Sequence, residues 1–443
     1  MARVVVIGAG PMGLAAAYQA VKDGHDVDLV EAAPEAGGMA GHFDFGSISL
    51  ERFYHFVCRG DKPTEDLLLE LGLGCKLHWV PTTMGFYFRG GIRDWGNPVA
   101  LMRLKGLGLW NKLRYALFAY LCTKRKTWPA LENRSAKDWI IRWCGQKTYD
   151  QLWRPLFDLK FFELADNISA AWMWTRMRRV GRSRKSMMQE ELGYIEGGSK
   201  TLVDALVNAI EAGGGRLHLH AVALRVHSRA GRVVSVETGA GNFPADFVIC
   251  TLPIPLVANL VPDLPMAVRQ RYEAIRNIGI CCVILKLKHQ VSPHFWVNMS
   301  GLDFEIPGII EFSNLRPLED TVVYAPYYMP PTNRKWTWSD QQLIDHTMHC
   351  LMTLNPALTT ADLVDAKVSR LRFAQPICEP GFASKLPPIQ TPIEGLQIAD
   401  TCFYYPEDRS IAESVLLGRR MANAISKSAA TSSESLAHNF VLQ

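Results

Sequence analysis

The ten cysteines include no C-x-x-C pair and no zinc-like spacing, no apolar run approaches the roughly eighteen residues that cross a bilayer, and no basic-then-apolar leader precedes the first strand-like segment. These absences argue against a disulfide scaffold, a zinc module and a spanning helix, and predict a reduced, cytoplasmic protein. Charge is sparse as well. Only 21% of residues are charged and the net is +5, too small a surplus to point to nucleic acid. No internal repeat is visible. The 443 residues are 48% apolar, enough to bury the cores of two or three domains.

What is present begins at the third residue. Residues 4–7, Val-Val-Val-Ile, read as a buried parallel strand because they are β-branched without polar alternation. Gly8, Gly10, Pro11, Met12 and Gly13 follow. Gly8 and Gly10 allow a tight turn whose backbone can approach a pyrophosphate, Gly13 lets the next helix pack close, and the helix N-terminus favours negative charge. Residues 27–30 make the next strand, and Glu31 ends it where a carboxylate can accept both ribose hydroxyls. The reading is a dinucleotide fold, with NAD and FAD both open at this point.

The continuation Glu31-Ala-Ala-Pro-Glu-Ala-Gly37-Gly38-Met39 resembles the extended N-terminal motif of the flavin-containing amine oxidase superfamily. In that family the Gly-Gly pair brings a second backbone segment onto FAD, and Arg usually stands where this chain has Met39. The resemblance implies FAD as cofactor. It also places Arg52, Tyr54 and His55 where the chain passes the flavin ring, as candidates for the substrate side. His55 could carry a proton near neutral pH, with plain packing the alternative for Tyr54 and His55. Further on, residues 193–210 resemble the family's glycine entry into a helix, and Val222 matches the valine that ends a strand beside the adenine.

Gly395-Leu-Gln-Ile-Ala-Asp400-Thr401 resembles the closing cofactor motif, with Asp400 in its glycine position and Thr401 in its aspartate position. Arg409, Ser410 and Ile411 then open a last helix, where Ser410 and Glu413 have capping-box spacing. The resemblance aims that helix at the flavin. The segments Gln375-Pro-Ile and Tyr405-Pro-Glu-Asp-Arg look closer to the protoporphyrinogen oxidase and phytoene desaturase branch than to the polyamine and monoamine oxidases.

The middle of the chain is less specific. Residues 98–128 carry only positive charges among leucine and aromatics, which suits either a helix lying in an anionic leaflet or a helical pair covering a pocket. Residues 176–185 hold a second basic cluster, read as a solvated loop or a contact to phosphate or membrane. Residues 62–73 look like the first element of an inserted domain. Residues 280–287, 295–298, 308–312 and 321–328 read as strands of an antiparallel or mixed sheet, with a helix at 340–354 and Tyr324, Tyr327 and Tyr328 as pocket candidates. Cys281 and Cys282 read as core fillers. His218 and His220 lack a third ligand, so a polar strand face is expected there and no metal.

The expected fold is α/β: a discontinuous Rossmann-like FAD-binding domain from residues 1–60, 192–260 and 371–426, an α+β substrate domain from 61–191 and 261–370, and a disordered tail at 427–443. The expected activity is FAD-dependent oxidation, or desaturation, of an apolar lipid-like or isoprenoid-like substrate. A flavin-dependent amine oxidase and a non-catalytic flavin-binding protein are the alternatives. The expected site is cytoplasmic, with peripheral contact to the inner face of an anionic membrane through 98–128 and 176–185 left open. The substrate, the electron acceptor and the oligomeric state are open too.

Overall fold

In the computed structural model the described residues are 1–46, 48–299 and 304–440, and from 428 on the backbone alone. The strand Arg3–Ile7 lies in the middle of a five-stranded parallel sheet ordered Arg216–His218, Asp26–Val30, Arg3–Ile7, Phe247–Cys250, Leu396–Ile398. Both its faces are covered, which is why residues 4–7 show no polar alternation. The helix Pro11–Lys22 packs on the sheet and is itself covered by the last helix, Ile411–Phe440. Ala15, Ala16, Ala17 and Ala20 are fully buried, and these small side chains let the two helices approach closely. At Gly418 the approach leaves no room for a side chain. A Cβ there would run into the Met12 carbonyl oxygen and lie 3.0 Å from the Ala16 nitrogen.

The expected disordered tail is instead the end of this helix, which continues to Phe440. Residues 427–440 contain neither Gly nor Pro, and a helix already anchored by packing extends at little cost. Residues 441–443 lie outside the described residues.

A seven-stranded mixed sheet carries the other half, ordered Leu363–Pro376, Asn277–Leu287, Thr321–Met329, Gly308–Glu311, Trp296–Met299, Met84–Tyr87, Ile92–Trp95. Its pairs are antiparallel except Trp296–Met299 with Met84–Tyr87. Side chains alternate between two cores. Cys281, Val283 and Leu285 face the helix Asp340–Leu354, while Ile280, Cys282 and Ile284 face the interior shared with the first domain. Adjacent Cys281 and Cys282 are both fully buried in these separate cores and unpaired, as expected of fillers. The same alternation sorts the three tyrosines. Tyr324 and Tyr328 point toward the shared interior, but Tyr327 points away and shares hydrogen bonds of 2.8 Å with His346 and Thr347.

The helix Lys62–Glu70 belongs with the first domain, contrary to the expectation for residues 62–73. Leu67 and Leu68 are buried in the core of the two packed helices, and Glu70 accepts from Tyr18 at 3.0 Å and Arg419 at 2.6 Å, and also from Lys22. The strand Leu363–Pro376 runs across the expected boundary at 371 without interruption. Residues 176–182 are likewise not a loop. They end the helix Ala170–Arg182, whose start is capped by Ser169.

Candidate functional site

The first helix has no side-chain cap: its N-cap is Gly10, followed by Pro11, so the amides of its first turn are free of side-chain competition. Gly37 donates to the Ala9 carbonyl at 2.8 Å, which seats the second glycine segment on the first turn. Gly38 has φ +52°, and a Cβ on it would come within 3.0 Å of the Gly10 Cα. Met39 is half-buried in the short turn of helix Gly38–Ala40. Glu31 closes the cradle. Its two carboxylate oxygens accept from Ala9 at 2.8 Å and Ala33 at 2.9 Å, and each keeps a lone pair for a further donor. Uncapped helix amides, two glycine turns in backbone contact and a strand-end carboxylate together fit a dinucleotide.

Val222 stands near this cradle but not on a strand. The strand ends at His218, and Val222 is half-exposed in the following turn, with its carbonyl accepting from Gly239 at 2.9 Å. The preceding Ala221 donates to the Glu31 carbonyl at 2.8 Å, so the turn adjoins the carboxylate all the same. His218 bonds Asp28 at 2.8 Å and His220 lies beyond the strand, so the two do not share a strand face.

Among the described residues, the buried polar atoms without a hydrogen-bond partner include Glu51 Oε2, which faces the Arg316 guanidinium at 3.9 Å, His55 Nδ1 and both ends of the Gln375 amide. Buried polar atoms in this state call for a partner from elsewhere. Glu51 and His55 line a narrow cavity with Asp61, Thr64, Ser199 and Ile411, the first residue of the last helix. Burial, followed by the charges of Arg409 and Arg179, pushes His55 down to about 4. Burial therefore favours the neutral imidazole there.

Beside this cavity stands an aromatic wall. The Tyr54 ring meets Trp296 and Tyr324 edge-on at 5.5 and 6.1 Å, and its hydroxyl lies 3.4 Å from that of Tyr328. Arg409 donates to the Tyr328 oxygen at 2.8 Å and also to the Ala374 carbonyl. Lys160, at the end of the helix Arg154–Phe161, holds its ammonium 4.5 Å from the Tyr328 ring centre, 5.5 Å from Phe161 and 5.6 Å from Trp172. Arg52 is not part of this wall. It is exposed and donates to the His42 carbonyl at 3.2 Å, bracing the glycine segment.

Three arginines of Ala170–Arg182 are matched by acids distant in sequence, and the fourth, Arg182, donates to the Thr123 carbonyl. Arg176 pairs with Asp408 at 2.6 Å, Arg179 with Asp61 at 2.6 Å, and Arg178 with Glu407. Arg184 donates to the Gly96 carbonyl at 2.6 Å. These pairs hold residues 407–409 and thereby the entrance to the last helix, where Ser410 Oγ accepts from Glu413 at 3.1 Å. Burial, then Glu407 and Asp61, push Glu413 up to about 7. Asp400 is buried and engaged internally, accepting from Ile254 and Cys402 at 2.8 Å each.

The fold thus brings Gly8, Gly10, Gly13, Glu31, Gly37 and Gly38 to one cradle, and Tyr54 and Arg409 to one wall. Sequence reasoning missed Lys160, Tyr328 as the partner of Tyr54, and Gln375 as an orphaned amide. A lysine followed by phenylalanine carries no signal of its own, and no spacing rule could have found it.

The family described as flavin containing amine oxidoreductase matches residues 13–425. Among curated proteins, the chloroplastic/chromoplastic ζ-carotene desaturase of Zea mays is 26% identical over 242 residues, 49% of this chain and 42% of that protein. A Mycobacterium tuberculosis protein provisionally named flavin-containing monoamine oxidase AofH is 24% identical over 266 residues, 56% of each chain. The match thus spans about half the length of these curated relatives. Among solved structures, a protein from Exiguobacterium sp. 255-15, provisionally named a protoporphyrinogen oxidase, superposes with a TM-score of 0.75 at 19% identity, over 96% of this chain and 99% of its own. That likeness establishes the shared fold.

Proposed function

Because the chain belongs to the flavin containing amine oxidoreductase family, we propose that it is an FAD-dependent oxidoreductase that oxidises, by desaturation, an apolar lipid-like or isoprenoid-like molecule. The observation that carries this reading is a chain of contacts from the glycine segment to the aromatic wall: Ser199 donates to the Ala40 carbonyl and to the Glu51 carboxylate, the Glu51 carbonyl accepts from Tyr324, and Arg409 at the entrance to the last helix donates to Tyr328. When bound, FAD supplies the acceptor for a hydride or for stepwise electrons. The residues of the chain bind and orient. The free amides at Gly10 and the carboxylate of Glu31 hold the dinucleotide, and the aromatic wall excludes water from an apolar substrate. Neutral His55 supplies a polar but uncharged contact.

Access from a lipid surface completes the proposal. The helix Leu109–Lys124 exposes Leu109, Leu113, Leu117 and Leu121 at every fourth position, with Trp110 71% and Tyr120 56% exposed beside them. Residues 98–128 contain no Asp or Glu, and Lys105, Lys124 and Lys126 are exposed around this row. That combination suits a helix lying in the headgroup layer of an anionic leaflet. Among the described residues no helix is long and apolar enough to cross a membrane. The arginines of 176–184 are engaged within the protein, so the contact is assigned to 98–128 alone.

The test is anaerobic. Purified protein is expected to show flavin absorption, and an apolar polyene or lipid extract is expected to bleach it while a panel of amines leaves it unchanged. Bleaching by an amine with peroxide release in air would replace the proposal with amine oxidation. A flavin that no donor reduces, and that no acceptor reoxidises after dithionite, would identify a binding protein without turnover.

A further inference from the structure

Lys160 has no hydrogen-bonding or carboxylate partner among the described residues, whereas each neighbouring arginine of the Ala170–Arg182 helix has one. Its ammonium lies within cation–π range of three rings, Tyr328, Phe161 and Trp172. Three cations and one acid act on this part of the wall: Lys160, Arg176 and Arg409 against Asp408. Asp408 is already paired with Arg176 at 2.6 Å, and Arg409 is bonded to a hydroxyl and a carbonyl. The positive surplus therefore sits on Lys160 and Arg409, next to Tyr54.

We propose that Lys160 selects the substrate by its head group, its ammonium receiving an anionic group, carboxylate or phosphate, on an otherwise apolar molecule. The inference rests on the reading that the Tyr54–Tyr328 wall faces the substrate, and it deepens that reading by naming the substrate class. An ammonium facing rings and two other cations is poorly compensated. An arriving anion supplies the missing partner through charge-assisted hydrogen bonds. A protonated amine would meet the same surplus as repulsion, so the site as built discriminates against amines. Burial, then Arg176 and Arg409, hold the Lys160 amine well below its ordinary value, against the pull of Asp408.

The test is calorimetric titration of the FAD-loaded protein with four molecules of equal chain length: decanoate, decyl phosphate, decanol and decylamine. The anions are expected to bind about tenfold more tightly than decanol, and decylamine no better than decanol. Lys160→Met is expected to bring the anions down to the level of decanol, while Lys160→Arg retains the preference. The larger response to decanoate or to decyl phosphate identifies which anion the site is built for. Binding that ignores the head group in the parent protein, or decanoate binding that survives Lys160→Met unchanged, overturns the proposal and leaves the apolar-wall reading standing. Binding of none of the four overturns both.

Discussion

Substituting Gly418 by alanine sets two effects of opposite sign against each other. In a helix interior alanine is favoured over glycine by about 1 kcal/mol. Here the new methyl would sit roughly 1 Å inside normal contact with the Met12 carbonyl oxygen, and also 3.0 Å from Ala16 N and 3.2 Å from Ala15 Cβ. These neighbours are mostly backbone of the first helix, which cannot step aside as a flexible side chain can. Relief requires the two helices to separate, and overpacking of this kind costs about 1–3 kcal/mol. The clash wins. A net loss of up to about 2 kcal/mol is expected, a fall in Tm of up to about 2 °C for a chain of this size. Because Met12 lies in the first turn of the helix that ends the glycine cradle, FAD affinity is expected to fall as well. Thermal unfolding with and without FAD, and reconstitution of the apoprotein followed by flavin fluorescence, measure both effects. Gly418→Val should be worse on each count. A variant that gains stability and binds FAD as the parent does would show that the helices are not packed this closely.

Glu31→Gln is expected to weaken FAD binding about tenfold, since the charge is lost and the amide keeps only one of the two oxygens that accept from Ala9 and Ala33; an unchanged dissociation constant would place the ribose elsewhere. Burial pushes Glu70 up, but Lys22, Arg419 and Tyr18 outweigh it and hold the carboxyl at about 2, so its contribution is present above its ordinary 4.5 and lost as pH falls toward 2. After allowance for solvent screening this is about 1 kcal/mol, and acid titration of Glu70→Gln should show a flatter limb than the parent. Glu413 runs the other way. Its raised value means the native state holds the proton more tightly, so stability declines as pH rises from about 4.5 to 7, and Glu413→Gln should be more stable than the parent above neutral pH by about 1–3 kcal/mol. If the two unfold alike there, the acid is solvated in solution. Replacing Trp110 and Leu117 together by Glu should remove most sedimentation with anionic vesicles at low salt, and retention would move the membrane contact to another face.

The sequence made the cofactor half legible because its signals are local. A buried strand, a glycine turn, a helix and an acid follow each other from Arg3 to Glu31, and each constrains the next. The alternating strands 280–287 and 321–328 were readable for the same reason, and the helix 340–354 likewise. Pairing between distant segments was not. The arginines from 176 to 179 look solvated until residues 61, 407 and 408 arrive beside them, and nothing near Arg409 in sequence shows that it donates to Tyr328. The helix Lys62–Glu70 follows the cofactor segment in sequence yet covers it in space, because its partners Arg419 and Lys22 lie on two other helices. The burial of His55, which favours its neutral form, likewise has no local signature in the sequence.

The order in which the fold can assemble follows from its pairing. The first strand takes its neighbour from Phe247–Cys250, that strand takes its own from Leu396–Ile398, and the first helix waits for Gly418 to cover it. Arg176 and Asp408, which fix the entrance to the last helix, are 232 positions apart. During synthesis the N-terminal segment therefore emerges with an apolar sheet edge and an apolar helix face exposed until nearly the whole chain has been made. Such high contact order is slow to form and open to misassociation. The residues that read most clearly as a nucleotide site are made well before the segments at 247–250 and 396–418 that cover them, and FAD binding stabilises the closed arrangement.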